Sequence, residues 1–108
     1  MKNKILQKLY QGFVQMHILY HTKKAPVYGA WIMEELKTHG YNIGPGTLYP
    51  LLNKMEQSCL LIKKNQIVNG KIRNYYSITQ LGIEVFKDAE EKADQLFLEI
   101  RGKQNDKI

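Results

Sequence analysis

The chain has 108 residues, 44% of them hydrophobic, enough for one domain with a small core. Sixteen Lys and Arg against ten Asp and Glu give a formal charge of +6, which points toward a polyanion such as nucleic acid or an anionic membrane surface. A single cysteine, Cys59, excludes a disulfide framework and a Cys-rich zinc site and suits the reducing cytosol, and no window approaches roughly eighteen unbroken apolar residues, so no membrane-spanning helix is expected.

Charge is distributed unevenly. Residues 1–78 carry eleven basic and three acidic side chains, whereas residues 79–101 carry three basic and six acidic ones. A positive body followed by an acidic final segment suggests that the body meets phosphate and the final segment meets protein. The three lysines in residues 1–8 are not followed by an apolar run, so no secretory leader is expected.

From Asn3 to His21 apolar residues recur at spacings of three and four, in one stripe at Leu6, Leu9, Phe13, Met16 and Tyr20 and another at Ile5, Tyr10, Val14 and Ile18. That spacing predicts a helix, and its apolar face is wider than one neighbour requires. Pro26 breaks it and biases Ala25 to extended geometry. A second helix follows from about Tyr28 to His39, with Ile32 and Leu36 as its core pair and Gly40 stopping it.

The turn Asn42-Ile43-Gly44-Pro45-Gly46-Thr47 leads into a third helix, with Pro45 in its first turn and Leu48, Leu51, Leu52 and Met55 on one face. Pro50, about one turn in, removes one ladder bond and predicts a tight or distorted first turn. Asn69-Gly70 between the β-prone runs 60–68 and 71–78 is a hairpin signal. A two-residue loop sets Val68 opposite Lys71, Ile67 opposite Ile72 and Leu61 opposite Ile78, with the two apolar pairs on one face. Thr79 is placed to cap a last helix from Gln80 to about Arg101, whose stripe Val85, Ala89, Ala93, Leu96 and Ile100, with Phe86 and Phe97 beside it, resembles a coiled-coil seam. Residues 102–108 are polar and expected to be disordered.

The fold expected is α+β, mainly α with a small β-hairpin: a winged helix-turn-helix over residues 1–79 and a dimerisation helix over 80–101. The third helix would enter the major groove by its N-terminal turn, where free N–H groups and a positive dipole favour phosphate. Gly46, Thr47 and Tyr49 lie on that turn, and Asn53 and Lys54 one turn later; Asn reads adenine edges, Thr touches a thymine methyl and Tyr grips phosphate. The hairpin tip offers Asn69, Gly70, Lys71 and Arg73, the last two pointing to one side of the strand.

The stretch Tyr28-Gly29 through Gly44-Pro45-Gly46-Thr47-Leu48-Tyr49-Pro50-Leu51-Leu52 resembles the recognition region of the PadR family of bacterial transcriptional regulators. Gly70 through Thr79 is similar to that family's wing, and Leu81-Gly82 to the start of its last helix. Gly44 stands where the family often has a capping Ser, and Lys71, Ile72 and Asn74 stand where its wing often has Arg, Pro and Lys. The resemblance covers about residues 13–85, and the short C-terminal segment is like the compact branch with one dimerisation helix. It implies a cytoplasmic repressor without a cofactor, acting as a homodimer on a near-palindromic double-stranded operator. It also implies release by a phenolic or hydrophobic small molecule near the dimer centre. Tyr28 and Pro45 join the DNA-contacting set. Leu6 and Phe13 of the first helix join Val85, Phe86, Ala89, Ala93, Leu96, Phe97 and Ile100 in the dimer interface, with Phe86, Leu96 and Phe97 toward the effector.

His17 and His21, four apart, would share a metal only with a third ligand, and none lies nearby in sequence; His39 and Cys59 are elsewhere, so a partly buried aromatic surface is the expectation. Trp31 is expected at a core boundary, and Tyr75 and Tyr76 on opposite faces of their strand. No Gly-rich phosphate loop, nucleophile elbow or zinc-protease helix motif is present, so no enzyme activity is expected. The rival reading is a winged helix that serves only as a protein-interaction module.

Overall fold

A computed structural model of the chain describes residues 1–102. The elements run α1 (Lys2–Lys24), β1 (Val27–Tyr28), α2 (Gly29–Thr38), α3 (Pro45–Gln57), β2 (Leu61–Val68), β3 (Lys71–Ile78) and α4 (Gln80–Gly102). The tail expected from 102 onward lies outside the described residues except for Gly102, which closes α4. Among the described residues, no helix is long and apolar enough to cross a membrane.

The hairpin forms in the register that the Asn69-Gly70 turn dictates. Val68 pairs with Lys71, Ile67 with Ile72 and Leu61 with Ile78. Both turn residues take positive φ, 52° at Asn69 and 77° at Gly70, which is the backbone a two-residue connection between twisted strands needs. A third strand was not expected. Val27 and Tyr28 pair antiparallel with Tyr76 and Tyr75, giving a sheet of order β1-β3-β2. Pro26 leaves the two residues after it extended beside the open edge of β3, and two residues are too few to show a period.

The core gathers Val14, Ile18 and Leu19 of α1, Ile32 and Leu36 of α2, Leu48, Leu52 and Met55 of α3, Leu61, Tyr76 and Phe86. Of the two apolar stripes on α1, only the later half of the second, Val14 and Ile18, points inward, while Leu9, Phe13 and Tyr20 of the first stripe stay exposed. Tyr76 is buried and Tyr75 half-buried, as their alternation requires. The Ile67–Ile72 pair shares a face with Leu61 and Ile78 but lies beyond the core, in water.

Three junctions fix the helices. After α2, Tyr41 N–H donates to the Leu36 carbonyl and Gly40 N–H to Lys37 (3.0 Å each), a Schellman closure around Gly40 at φ 89°. After α3 the same closure recurs with Cys59 in the left-handed position (φ 64°): Leu60 N–H donates to Met55 and Cys59 N–H to Glu56, both at 2.9 Å. At the root of α4, Gly82 N–H donates to the Thr79 hydroxyl (2.9 Å), the expected cap, and that hydroxyl donates to the Cys59 carbonyl. Gly82 and Phe86 are buried, so the first two turns of α4 belong to the body and only the rest projects from it. The Cα radius of gyration, 16.1 Å, exceeds the roughly 13 Å of a compact chain of this length, reflecting the projecting helix ends.

Candidate nucleic-acid interface

α3 begins without a side-chain cap at Gly44, and the Gly44 carbonyl accepts from both Thr47 N–H (3.1 Å) and Leu48 N–H (3.0 Å). The shorter-range bond to Thr47 tightens the first turn, and Pro50 has no N–H to give the Gly46 carbonyl one turn on. The helix stays continuous from Pro45 to Gln57, because the buried face Leu48–Leu52–Met55 holds it down. Its opposite surface presents Pro45, Gly46, Thr47, Asn53 and Lys54 to solvent. Gly46, Thr47, Asn53 and Lys54 line one groove, together with Gln7, Gln11 and Gln15 of α1.

Tyr49 sits at the edge of that surface, against α2. A Cβ added at Gly29 would stand 2.5–2.7 Å from its ring and hydroxyl, so Tyr49 seats α3 on the first residue of α2 and keeps 39% of its surface in water. Tyr28, next to Gly29, also does structural work: the Arg73 guanidinium lies 4.0 Å over its ring, and the Tyr75 ring meets it edge-on at 5.5 Å. This stack ties β1 to the wing and fixes the Arg73 side chain, a pairing worth about 0.5–1 kcal/mol at an exposed site. Lys71, two residues nearer the tip on the same side of β3, is exposed, as are Asn69 and Gly70. The structure thus assembles two exposed polar surfaces, one on α3 and one on the wing, with the Tyr28–Arg73 stack and Tyr49 bracing them. The stack was not foreseen, because β1, which carries Tyr28, was not.

A model of the transcriptional regulator PadR-like family matches residues 18–88 of the chain. The chain belongs to that family. The PadR-like chain is 34% identical over 100 residues to transcriptional regulator Rv3488 of Mycobacterium tuberculosis, covering 93% of this chain and 94% of that protein. A PadR family regulator from Eggerthella lenta superposes with a TM-score of 0.78 at 28% identity, over 96% of this chain and 91% of that one. A Bacillus cereus PadR-like regulator gives 0.79 at 26% identity, over 87% and 93%. This PadR-like chain is therefore a DNA-binding transcriptional regulator with a winged-helix fold.

Of the proposed interface residues on α4, Val85, Leu96, Phe97 and Ile100 are exposed and Ala89 and Ala93 half-buried. Phe86 differs. It is 9% exposed and packs inside its own chain, 6.4 Å from the Tyr20 ring and with Lys23 Nζ 5.8 Å away. On α1, Phe13 is at the surface and Leu6 half-buried.

The fold also brings His39 and Glu35 of α2 to His17 and His21 of α1, a meeting that sequence separation hid. Glu35 Oε2 lies 3.0 Å from His39 Nε2 and 3.4 Å from His21 Nε2, the His17 and His39 rings are 4.7 Å apart, and Trp31 meets His21 edge-on at 5.2 Å. Among the described residues no group of three such side chains is spaced to hold a metal ion. Burial, and next the neighbouring His39 and His21, lower the His17 pKa below 6.5; burial, with Glu35 opposing, lowers that of His21. The folded chain therefore keeps both rings neutral where the unfolded chain would protonate them. Their contribution to stability is present above pH 6.5 and is lost as pH falls from there through the lowered folded values. A melting series from pH 8 to 5 should show Tm dropping on the acid side of 6.5, and His17→Gln should flatten that drop; an unchanged acid slope in the variant would refute the assignment.

Proposed function

We propose that the protein is a homodimeric repressor that places one α3 in each half of a near-palindromic operator and is released by a hydrophobic or phenolic small molecule. One observation carries the reading: α4 bears Val85 at its root and Leu96, Phe97 and Ile100 on its projecting part in water, and α1 bears Ile5, Leu9 and Phe13 in water, with no use for either face in a single chain. A second copy covering both faces satisfies them and sets two recognition helices roughly one helical turn of DNA, about 34 Å, apart. The acidic α4 stays clear of the duplex while the basic body meets it.

In this arrangement Pro45, Gly46 and the α3 N-terminus approach the backbone, Thr47 and Asn53 meet base edges, and Lys54 and Tyr49 meet phosphate. Lys71, Arg73 and the Asn69–Gly70 tip grip the flanking strand, and Tyr28 steadies Arg73. Leu96 and Phe97 face the two-fold axis, where an apolar effector would enter; Phe86, about three turns back along α4, packs against Tyr20 of its own chain. The protein acts in the cytoplasm, where its operator is.

Titration of duplex DNA against salt tests the reading and separates it from a protein-only interaction module. Binding should weaken steeply with salt as phosphate counterions are released. Lys71→Ala should lower affinity for all sequences and reduce the salt slope by about one, whereas Asn53→Ala should relax preference at one base pair by about 1–3 kcal/mol. Indifference to duplex at low salt would sink the proposal, and unchanged base preference in Asn53→Ala would remove that residue from the reading surface.

A further inference from the structure

The wing carries two unlike faces. One bears Lys64, Gln66, Lys71 and Arg73; the other, continuous with the buried Leu61 and Tyr76, bears Asn65, Ile67, Ile72 and Asn74. On this second face Ile67 and Ile72 stand directly opposite each other, one pair in from the turn, 78% and 72% exposed. The last buried rung on this face is Tyr76, paired with Lys63, and Ile67 stands four positions beyond Lys63, so the pair projects roughly 13 Å past it. No core element reaches that far, and within the single chain the pair has only its own cross-strand contact, worth about 0.2–1 kcal/mol. α3 packs on β2 from the body side, which is the side the two isoleucines face.

We infer that the wing tip is an apolar minor-groove wedge: Ile67 and Ile72 enter the groove beside the α3 site, unstack a single base step and bend the duplex. The inference rests on the DNA-binding reading above. The occupant follows from charge. The isoleucine pair is set in a ribbon, residues 61–78, that bears Lys63, Lys64, Lys71 and Arg73 and no acidic residue, with Glu56 of α3 paired to Lys63 (3.7 Å) at its base, so a polyanion is drawn to the tip. Two branched side chains on a two-stranded ribbon are too wide for a B-form minor groove of about 6 Å unless it opens, and apolar insertion opens it by unstacking and kinking. Asn65 and Asn74, the next pair inboard, bring amide donors suited to the A N3 and T O2 acceptors on the floor of an A·T-rich groove.

The probe is a duplex selected by the full-length wild-type protein from a random library and labelled at both ends. Affinity is measured at three salt concentrations and bending by end-to-end energy transfer. Ile67→Ser/Ile72→Ser should bind about tenfold more weakly at every salt with the slope unchanged, and should leave the duplex at its free end-to-end distance. Lys71→Ala should reduce the slope and keep the bend. Since both isoleucines are exposed and lose only their cross-strand contact, the double variant should stay folded, with its melting temperature within a few degrees of wild type. A double variant that still bends the duplex, with or without loss of affinity, overturns the wedge. A wild-type protein that selects no duplex overturns the DNA reading itself, a separate result.

Discussion

Leu96→Glu combined with Phe97→Glu should leave the subunit folded, dissociate the dimer and lower affinity for a two-half-site operator by two to three orders of magnitude. Both side chains stand in water in the single chain, 51% and 40% exposed, so the substitutions do not touch the subunit core. In the proposed homodimer they meet their symmetry mates, and every charge introduced appears twice across the axis. Four carboxylates would have to be desolvated beside one another without partners, on a helix already rich in acid. Loss of pairing removes the linkage between half-sites, and linkage of that kind multiplies affinity by about 10²–10⁴. Sedimentation and operator binding read the two effects independently. A variant that remains dimeric places the dimer contact elsewhere.

Gly82→Ala should cost about 2–3 kcal/mol and lower Tm by roughly 10 °C. A Cβ at this position would collide with the Leu60 backbone carbonyl and stand 2.6 Å from Ile78 Cγ1. The Leu60 carbonyl cannot yield, since it also accepts the Thr79 N–H at 3.0 Å. Relief therefore requires the whole first turn of α4 to lift, which also withdraws Phe86 from the core. Gly12 is the matched control. Nothing lies within 4 Å of a Cβ built there, so Gly12→Ala in α1 should raise stability by about 0.5–1 kcal/mol. Thermal melts of the two variants should move in opposite directions, and equal shifts would contradict the packing described.

Local chemistry made much of this legible before any coordinates. Pro45 behind a glycine turn located the start of α3, and Asn69-Gly70 fixed every rung of the hairpin. Thr79 announced α4 because a hydroxyl at that point has an orphan N–H to satisfy. What stayed hidden depended on neighbours distant in sequence. β1 exists because β3 offers it an edge. Tyr28 and Arg73 are 45 residues apart and meet only once that strand forms. Phe86 has the same spacing as the residues of the exposed stripe, and only the approach of Tyr20 puts it in the core. Spacing placed Ile67 and Ile72 with Leu61 and Ile78, but the length of the ribbon carried them past anything they could pack on.

α4 is anchored over its first two turns and unsupported by its own body beyond them, which makes it a lever. Its 23 residues span about 34 Å, so a tilt of about 10° at Thr79 and Gly82 swings the far end by about 6 Å. That swing approaches the rise of two base pairs, about 3.4 Å each. In the proposed homodimer, small adjustments where Cys59, Thr79 and Gly82 meet would therefore translate into whole steps of operator spacing without altering any group proposed to touch DNA.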